Sequence, residues 1–536
     1  MGIIIFFLLN IAFLPIDSLK PHMKGYGLST FSGVLPETFY CEILDIMKDV
    51  EPKRNLIIAK LSGANLEKTG IIAGMSGSPV FINNKLIGAV AYAWEFQKEP
   101  ICGITPIYEM LYPESFPKIR DLPQRNFSLP IAINTKLSEK EECLFNTLFP
   151  KNIKPLFLPM GGKETIDKEI KIDLGYPVGG SLVDGDLKIA AIGTLTYISK
   201  DTIYAFGHPF FNFGKSELPL ILGKIHCVIS AYDNSFKLFS PVKEIGKISY
   251  DYQTAIKGIL NKEAKKIPLK ITIKDEKKKE EFFYQIANHY KLIPILLPIC
   301  LSSSFSSFTV GIPLNYTIKN KIRLKISLKD KVETLEYEKL QVSDEPKSFD
   351  IFSFFDDLKN LLENPFEKVE IKEGEIESYF IKEKKTLRIL DILLNKTVFY
   401  PNDSLILKII FQDFQGKIFE REFKIELNLN PGQYSLFVGN LEDFFSLFPL
   451  KEIENFSSLL DNIKMKKKGN LLKLAIYSSK KGFYLKDKGY SLPLSLKRLK
   501  EKSQEEVSPF TLHYENDFPF DYFITNSKTI NMEVKE

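Results

Sequence analysis

Two short stretches of this 536-residue chain hold residues that could do chemistry together. The first is Gly74-Met75-Ser76-Gly77-Ser78-Pro79, which sets two hydroxyls between glycines just ahead of the apolar run VFI. The second is Phe206-Gly207-His208-Pro209, which ends the β-prone run TIYAF. A serine hydroxyl is a poor nucleophile until a base takes its proton and donors stabilise the resulting oxyanion. Glycines let successive backbone N–H groups converge on one spot. Ser76 is therefore the expected nucleophile, with the N–H groups of Gly74 and Ser76 as the expected oxyanion donors. Of the five histidines, His22, His208, His226, His289 and His513, only His208 follows a strand and opens a loop punctuated by Gly and Pro, as a base in such a site would. His226 falls inside an alternating strand and reads as structural. On residues alone the turn also fits a plain glycine-rich corner of a β protein, the commoner use of such a sequence.

Several elements must position these residues. PVFINNKLIGAV reads as two strands around Asn83-Asn84, residues that tolerate the positive φ of a tight hairpin. Residues 126–165 lack a sustained period and read as a connector. Strand signals return at GGSLVDGDLKIAAIGTLTYISKDTIYAF, where Asp184-Gly185 marks a hairpin turn and not a metal loop. SFDIFSFFDDLKNLLENPF has apolar residues at helical spacing. The next 70 or so residues alternate strands and turns in the manner of a small β-sandwich. The last hundred mix helix signals (FSSLLDNIKMKK, LPLSLKRLKEK) with strands (NLLKLAIYSS).

GMSGSPVFINNKLIGAVAYAW resembles the nucleophile segment of chymotrypsin-like peptidases, in which Gly-x-Ser-Gly-Gly-Pro precedes a hairpin ending in a Gly-rich apolar strand. With LEKTG just before it, the stretch more closely resembles the SpoIVB-type serine peptidase family, exported or membrane-associated signalling peptidases of the chymotrypsin-like class. The family has a comparable Gly-His at a strand end, which implies His208 as the base. The resemblance covers about the first 270 residues. It implies a mainly β fold, a chymotrypsin-like double β-barrel. In the family the histidine precedes the serine, whereas His208 follows Ser76 by 208 − 76 = 132 residues, so the half-barrels are expected in swapped order. The family's aspartate, placed by matching LEKTG, falls on Ser62, which is no carboxylate. Asp251, 251 − 208 = 43 residues after His208, is then the candidate to orient the imidazole. A Ser-His dyad, with Ser62 or a backbone carbonyl holding the ring, is the other option.

The expected layout is a signal peptide or anchor at 1–18, a serine half-barrel at 19–125, the connector at 126–165 and a histidine half-barrel at 166–275. A β-rich module with a helix follows at 276–368, then an immunoglobulin-like β-sandwich at 369–440 and a mixed α/β region at 441–536.

A net charge of +5, with lysines and glutamates interleaved, argues against nucleic acid as a partner. The apolar run from Ile3 to Pro15 is too short to span a bilayer but matches the apolar region of a secretory signal. The chain is accordingly expected to be exported and to work in the periplasm, outside the cell or anchored at its N-terminus, with membrane or envelope association left open. The five cysteines (Cys41, Cys102, Cys143, Cys227, Cys300) have neither metal-site nor disulfide-framework spacing. PMGGKETIDKE lacks the strand and spacing of a phosphate loop. No metal or cofactor is expected. The function these readings favour is a serine endopeptidase acting on protein or peptide substrates. The alternatives are an inactive peptidase-fold scaffold of the cell envelope and an esterase using the same residues.

Overall fold

The computed structural model describes residues 11–51, 53–94, 96–115, 127–149, 153–159, 170–309, 315–329, 331–343, 351–448, 453–466, 471–479, 482–485, 488–491 and 510–536. The helix expected at LPLSLKRLKEK lies outside these residues. Strands account for 55% of the structure and helices for 14%, which puts it in the mainly β class.

Six strands close a barrel: β1 (Lys24–Ser29), β2 (Glu37–Glu51), β3 (Arg54–Ser62), β4 (Pro79–Ile82), β5 (Lys85–Tyr92) and β6 (Ile101–Pro106), in the order β1-β2-β3-β6-β5-β4. Alternation builds its interior. Phe39, Cys41 and Ile43 of β2 and Ile57, Ala59 and Leu61 of β3 point inward and are buried, as a period of two requires. β4 and most of β5 are buried on both faces. Val80, Ile82 and Ile87 fill the barrel, while Phe81, Leu86 and Ala89 join the core beyond it. Asn83 and Asn84 make the hairpin between them at φ of 50° and 58°, the left-handed pair of a tight primed turn. Ahead of β1, the backbone of Ala12 and Leu14 pairs with Leu86. Phe13 packs edge-on against Tyr108 and Tyr197 at 5.9 and 5.2 Å. Residues 11–16 of the expected signal or anchor thus lie against the fold.

Beyond the barrel runs one 13-stranded sheet. Its first strands are β7 (Phe127–Ile133), β8 (Ile153–Pro159), β9 (Pro177–Gly185), β10 (Ile189–Ser199), β11 (Thr202–Ala205), β12 (Gly214–Ile229), β13 (Phe236–Asp251) and β14 (Ile256–Leu260). Six of them pair in a ring, β9-β12-β13-β14-β11-β10, closed by β9 on β10. β7 and β8 pair in parallel and extend the sheet from β10, so the expected connector contributes strands of its own. β15 (Lys266–Lys274) and β16 (Lys279–Ala287) form a hairpin joined to β9. The boundary expected at 275/276 falls inside that hairpin. β17 (Tyr316–Ser327), β18 (Val332–Ser343) and β19 (Glu370–Ile381) continue the sheet, with β19 parallel to β15.

A β-sandwich closes the chain, with a core of its own. It takes strands from Thr386 to Val534, and the two sheets share residues from both sides of position 440. The strands read as a separate C-terminal region, Leu471–Ser479, Phe510–Pro519 and Lys528–Val534, complete this sandwich. Among the described residues no helix is long and apolar enough to cross a membrane.

Candidate active site

The turn at Gly74–Ser78 lies where the barrel meets the second sheet, and the two sides share its backbone. Ala73 pairs with the start of β13, its N–H on Ser235 O at 2.7 Å and its carbonyl on Lys237 N at 3.0 Å. β10 takes three of the other carbonyls. Gly74 O accepts from the Thr194 hydroxyl at 2.9 Å, Ser76 O from Thr194 N at 2.7 Å and Gly77 O from the Thr196 hydroxyl at 2.7 Å. Met75 O accepts from both the N–H and the hydroxyl of Ser78, at 2.9 and 2.6 Å.

The N–H groups divide differently. Those of Ala73, Met75, Gly77 and Ser78 each have a carbonyl partner, whereas those of Gly74 and Ser76 donate to none of the described residues. A peptide is planar and trans, so its N–H points opposite to its C=O. Pinning Ala73 O on β13 and Met75 O on Ser78 therefore turns the N–H groups of Gly74 and Ser76 away from those two partners. Buried backbone donors are nearly always paired, and two unpaired ones in a single turn make a ready anion site of the oxyanion-hole type. Ser76 between them is half-buried, while Gly74, Met75, Gly77 and Ser78 are buried.

Only glycine fits position 77. Its φ is +95°, and an added Cβ would lie 2.0 Å from Thr194 O and 2.4 Å from Phe206 N. The serine turn is thus in direct backbone contact with the segment that leads to His208. Phe206 sits at φ +76°, a conformation that a bulky residue holds only at a cost of about 1–3 kcal/mol. Its ring is wedged beside those of His208 and Phe210, each at 5.7 Å. On the barrel side the Thr105 hydroxyl donates to Gly207 O at 2.7 Å. The sequence brought Ser76 and His208 together by resemblance; the fold brings their segments together by contact.

His208 is 1% exposed. Its Nδ1 lies 2.7 Å from Pro209 O. A carbonyl only accepts, so Nδ1 carries the proton and Nε2 the lone pair, the tautomer a general base needs. Burial lowers the imidazole to about 4, partly offset by the Pro209 hydrogen bond.

Asp251, at the end of β13, is fully buried, but its partners are not the imidazole expected from the spacing. Its oxygens accept from the N–H groups of Phe210, Phe211 and Phe213 at 2.7, 2.7 and 3.1 Å. Burial raises this carboxyl to about 6 against the lowering by those donors. The direct Asp251–His208 orientation is therefore replaced by a two-part arrangement: Pro209 O holds Nδ1, and Asp251 holds the loop that follows. The reason is local, since the loop turns back over the strand end and presents its amides to the carboxylate first. Ser62 is exposed at the end of β3. His226 bonds Ser240 at 2.9 Å and His289 stacks on Phe213 at 4.2 Å.

Sequence reading missed Thr194, Thr196 and Lys237, which hold the turn. Their signal was present but faint: two threonines in the apolar strand AAIGTLTYI, and a lysine at an inward position of the alternating stretch SFKLF. All three are fully buried.

A closed β-barrel carrying this turn is consistent with a β-rich peptidase fold. Residues 26–111 match the family model described as SpoIVB peptidase S55, so this part of the chain is similar to that family. The match runs from β1 through the short helix Ile107–Leu111 and so contains Ser76 but not His208. No curated protein and no solved structure matches the chain at the significance applied.

Proposed function

We propose that this protein is a serine endopeptidase that hydrolyses protein or peptide substrates outside the cytoplasm, in envelope signalling or processing. The observation that carries the reading is the serine turn, where two backbone donors with no acceptor among the described residues flank a half-buried serine while every neighbouring carbonyl is pinned. Ser76 Oγ attacks the substrate carbonyl, and His208 takes the proton at Nε2 and returns it to the leaving amine. The oxyanion is held by the N–H groups of Gly74 and Ser76. Asp251 supports His208 through the loop at 210–213. The apolar N-terminal run supports export.

Labelling of the purified full-length protein with a fluorophosphonate probe tests this. Ser76→Ala is expected to abolish labelling, and His208→Ala to slow it by about 10²–10⁴-fold. Labelling is also expected to fall as pH drops through about 4, where Nε2 gains a proton and ceases to be a base. A well-folded wild type that does not label, or a Ser76→Ala variant that still does, removes the mechanism.

A second reading, a scaffold on an inactive peptidase fold, has two observations in its favour. The Ser76 hydroxyl is hydrogen-bonded to no described residue, and the position matching the family's acid holds Ser62. Labelling of the wild type at a rate no greater than that of Ser76→Ala would select it.

A further inference from the structure

Lys237 is a lysine where a charge is costly. It sits on β13 with no exposed surface and makes no ion pair among the described residues. Its neighbours on every side are uncharged: Ser29 of β1, Thr194 of β10, the ring of Phe31 at 5.6 Å and the glycine turn itself. The acidic group that acts on it, from a distance, is Glu37. A buried ammonium without a carboxylate is strongly disfavoured, so a lysine at this fully buried position asks for a task.

The contacts supply one. Lys237 Nζ donates to Ser29 Oγ at 2.9 Å and reaches Thr194 Oγ1 at 3.5 Å. The Ser29 and Ser78 hydroxyls are 2.9 Å apart, and Ser78 Oγ donates to Met75 O at 2.6 Å. The Ser78 hydroxyl has one proton and lies within donating reach of both Ser29 Oγ and Met75 O, and Ser29 Oγ accepts from the ammonium as well, so Ser29 ties the ammonium to the hydroxyl that caps Met75 O. The last carbonyl belongs to the peptide whose N–H is that of Ser76. Lys237 also holds the other relevant peptide, because its own N–H donates to Ala73 O, across the bond from the N–H of Gly74. Its Cδ passes 3.1 Å from where a Cβ on Gly74 would stand, so the stem lies directly under the turn.

We propose that Lys237 is the positioning residue of the serine turn: its main chain fixes the Gly74 N–H, and its ammonium, acting through Ser29 and Ser78, fixes the Ser76 N–H. The inference rests on the reading of these two donors as the oxyanion site. Desolvation lowers the ammonium to about 7, partly offset by Glu37, so below that pH Ser29 Oγ is held as an acceptor by a charged donor. Above it, a neutral amine accepts from Ser29 as readily as it donates.

Lys237→Met keeps the stem and removes the charge and its donors. Two readouts on the full-length protein test the proposal. In hydrogen–deuterium exchange followed by mass spectrometry, peptides covering residues 73–78 are expected to exchange at least about 10-fold faster in Lys237→Met, with the rest of the barrel unchanged. In fluorophosphonate labelling, Lys237→Met is expected to be about 10²–10³-fold slower than wild type, the loss associated with one oxyanion donor. The wild-type rate falls as pH rises through about 7, and this limb is expected to be missing in the variant. A folded Lys237→Met with wild-type exchange at 73–78 overturns the proposal, as does wild-type labelling with the wild-type pH profile. Should Lys237→Met not fold, Ser29→Ala breaks the same chain at its middle and is judged by the same outcomes. A wild type that fails to label, while exchange at 73–78 still rises in Lys237→Met, removes the peptidase reading and leaves the positioning role standing.

Discussion

Asp251→Ala is expected to lower stability by about 3–5 kcal/mol and to abolish labelling of Ser76. The carboxylate is fully buried and accepts from the N–H groups of Phe210, Phe211 and Phe213. Removing it leaves these donors without an acceptor in a site closed by Phe206, Phe210 and Phe211, all at most 3% exposed. A buried donor stripped of its partner costs about 1–3 kcal/mol. Removal of a desolvated carboxylate offsets part of that, which keeps the total near the top of the range for single substitutions. Chemical denaturation with a fluorescence readout measures it. The arrangement also predicts how Asp251 and His208 couple. An aspartate bonded directly to the imidazole would show a coupling of about 1–3 kcal/mol in a double-mutant cycle of Asp251→Asn with His208→Ala. An aspartate that holds only the loop gives a near-additive result, within about 0.5 kcal/mol. A coupling at the higher value would return Asp251 to the role expected from its spacing.

Gly77→Ala is expected to slow labelling by at least about 10²-fold and to destabilise the fold by about 2–4 kcal/mol. Two costs combine. An L-residue at φ +95° pays about 1–2 kcal/mol. The new Cβ also meets backbone, Thr194 O at 2.0 Å and Phe206 N at 2.4 Å, which cannot swing aside as a side-chain tip would. The turn must then separate from β10 and from the segment carrying His208, and a displacement near 1 Å at a catalytic group costs about 10²-fold. Gly33→Ala is the control. Its φ of +69° is also left-handed, but nothing lies within 4 Å of an added Cβ. It is expected to cost about 1 kcal/mol in thermal melts and to leave labelling unchanged. Equal losses of labelling in the two variants would mean that backbone strain, and not contact with the histidine segment, sets the requirement at position 77.

How much of this was legible beforehand follows the range of the interactions. The hairpin at Asn83-Asn84, the strands flanking it and the helix within residues 348–366 depend on local preferences, and those preferences appear in the residues themselves. The serine turn is also local: glycines at 74 and 77 permit its positive φ values wherever the chain puts them. So is the strand end that carries His208. The domain boundaries were less legible because a sheet edge records nothing in sequence about which distant strand will pair with it. The hairpin across position 275 and the sandwich completed by Lys528–Val534 are both of that kind.

The sequence by itself determined the chemistry-bearing residue types, the turn that carries Ser76 and the strand that leads to His208. Only the tertiary structure decided what holds them. Thr194 and Lys237 lie far along the chain from the turn, and a threonine or lysine at an inward strand position is ambiguous until its partner is in place. Asp251 makes the same point in reverse, since its spacing from His208 was correct for an orienter while the backbone amides lay closer than the ring. Hydrogen-bond partners are chosen by distance in space, and buried donors take the nearest acceptor the fold supplies.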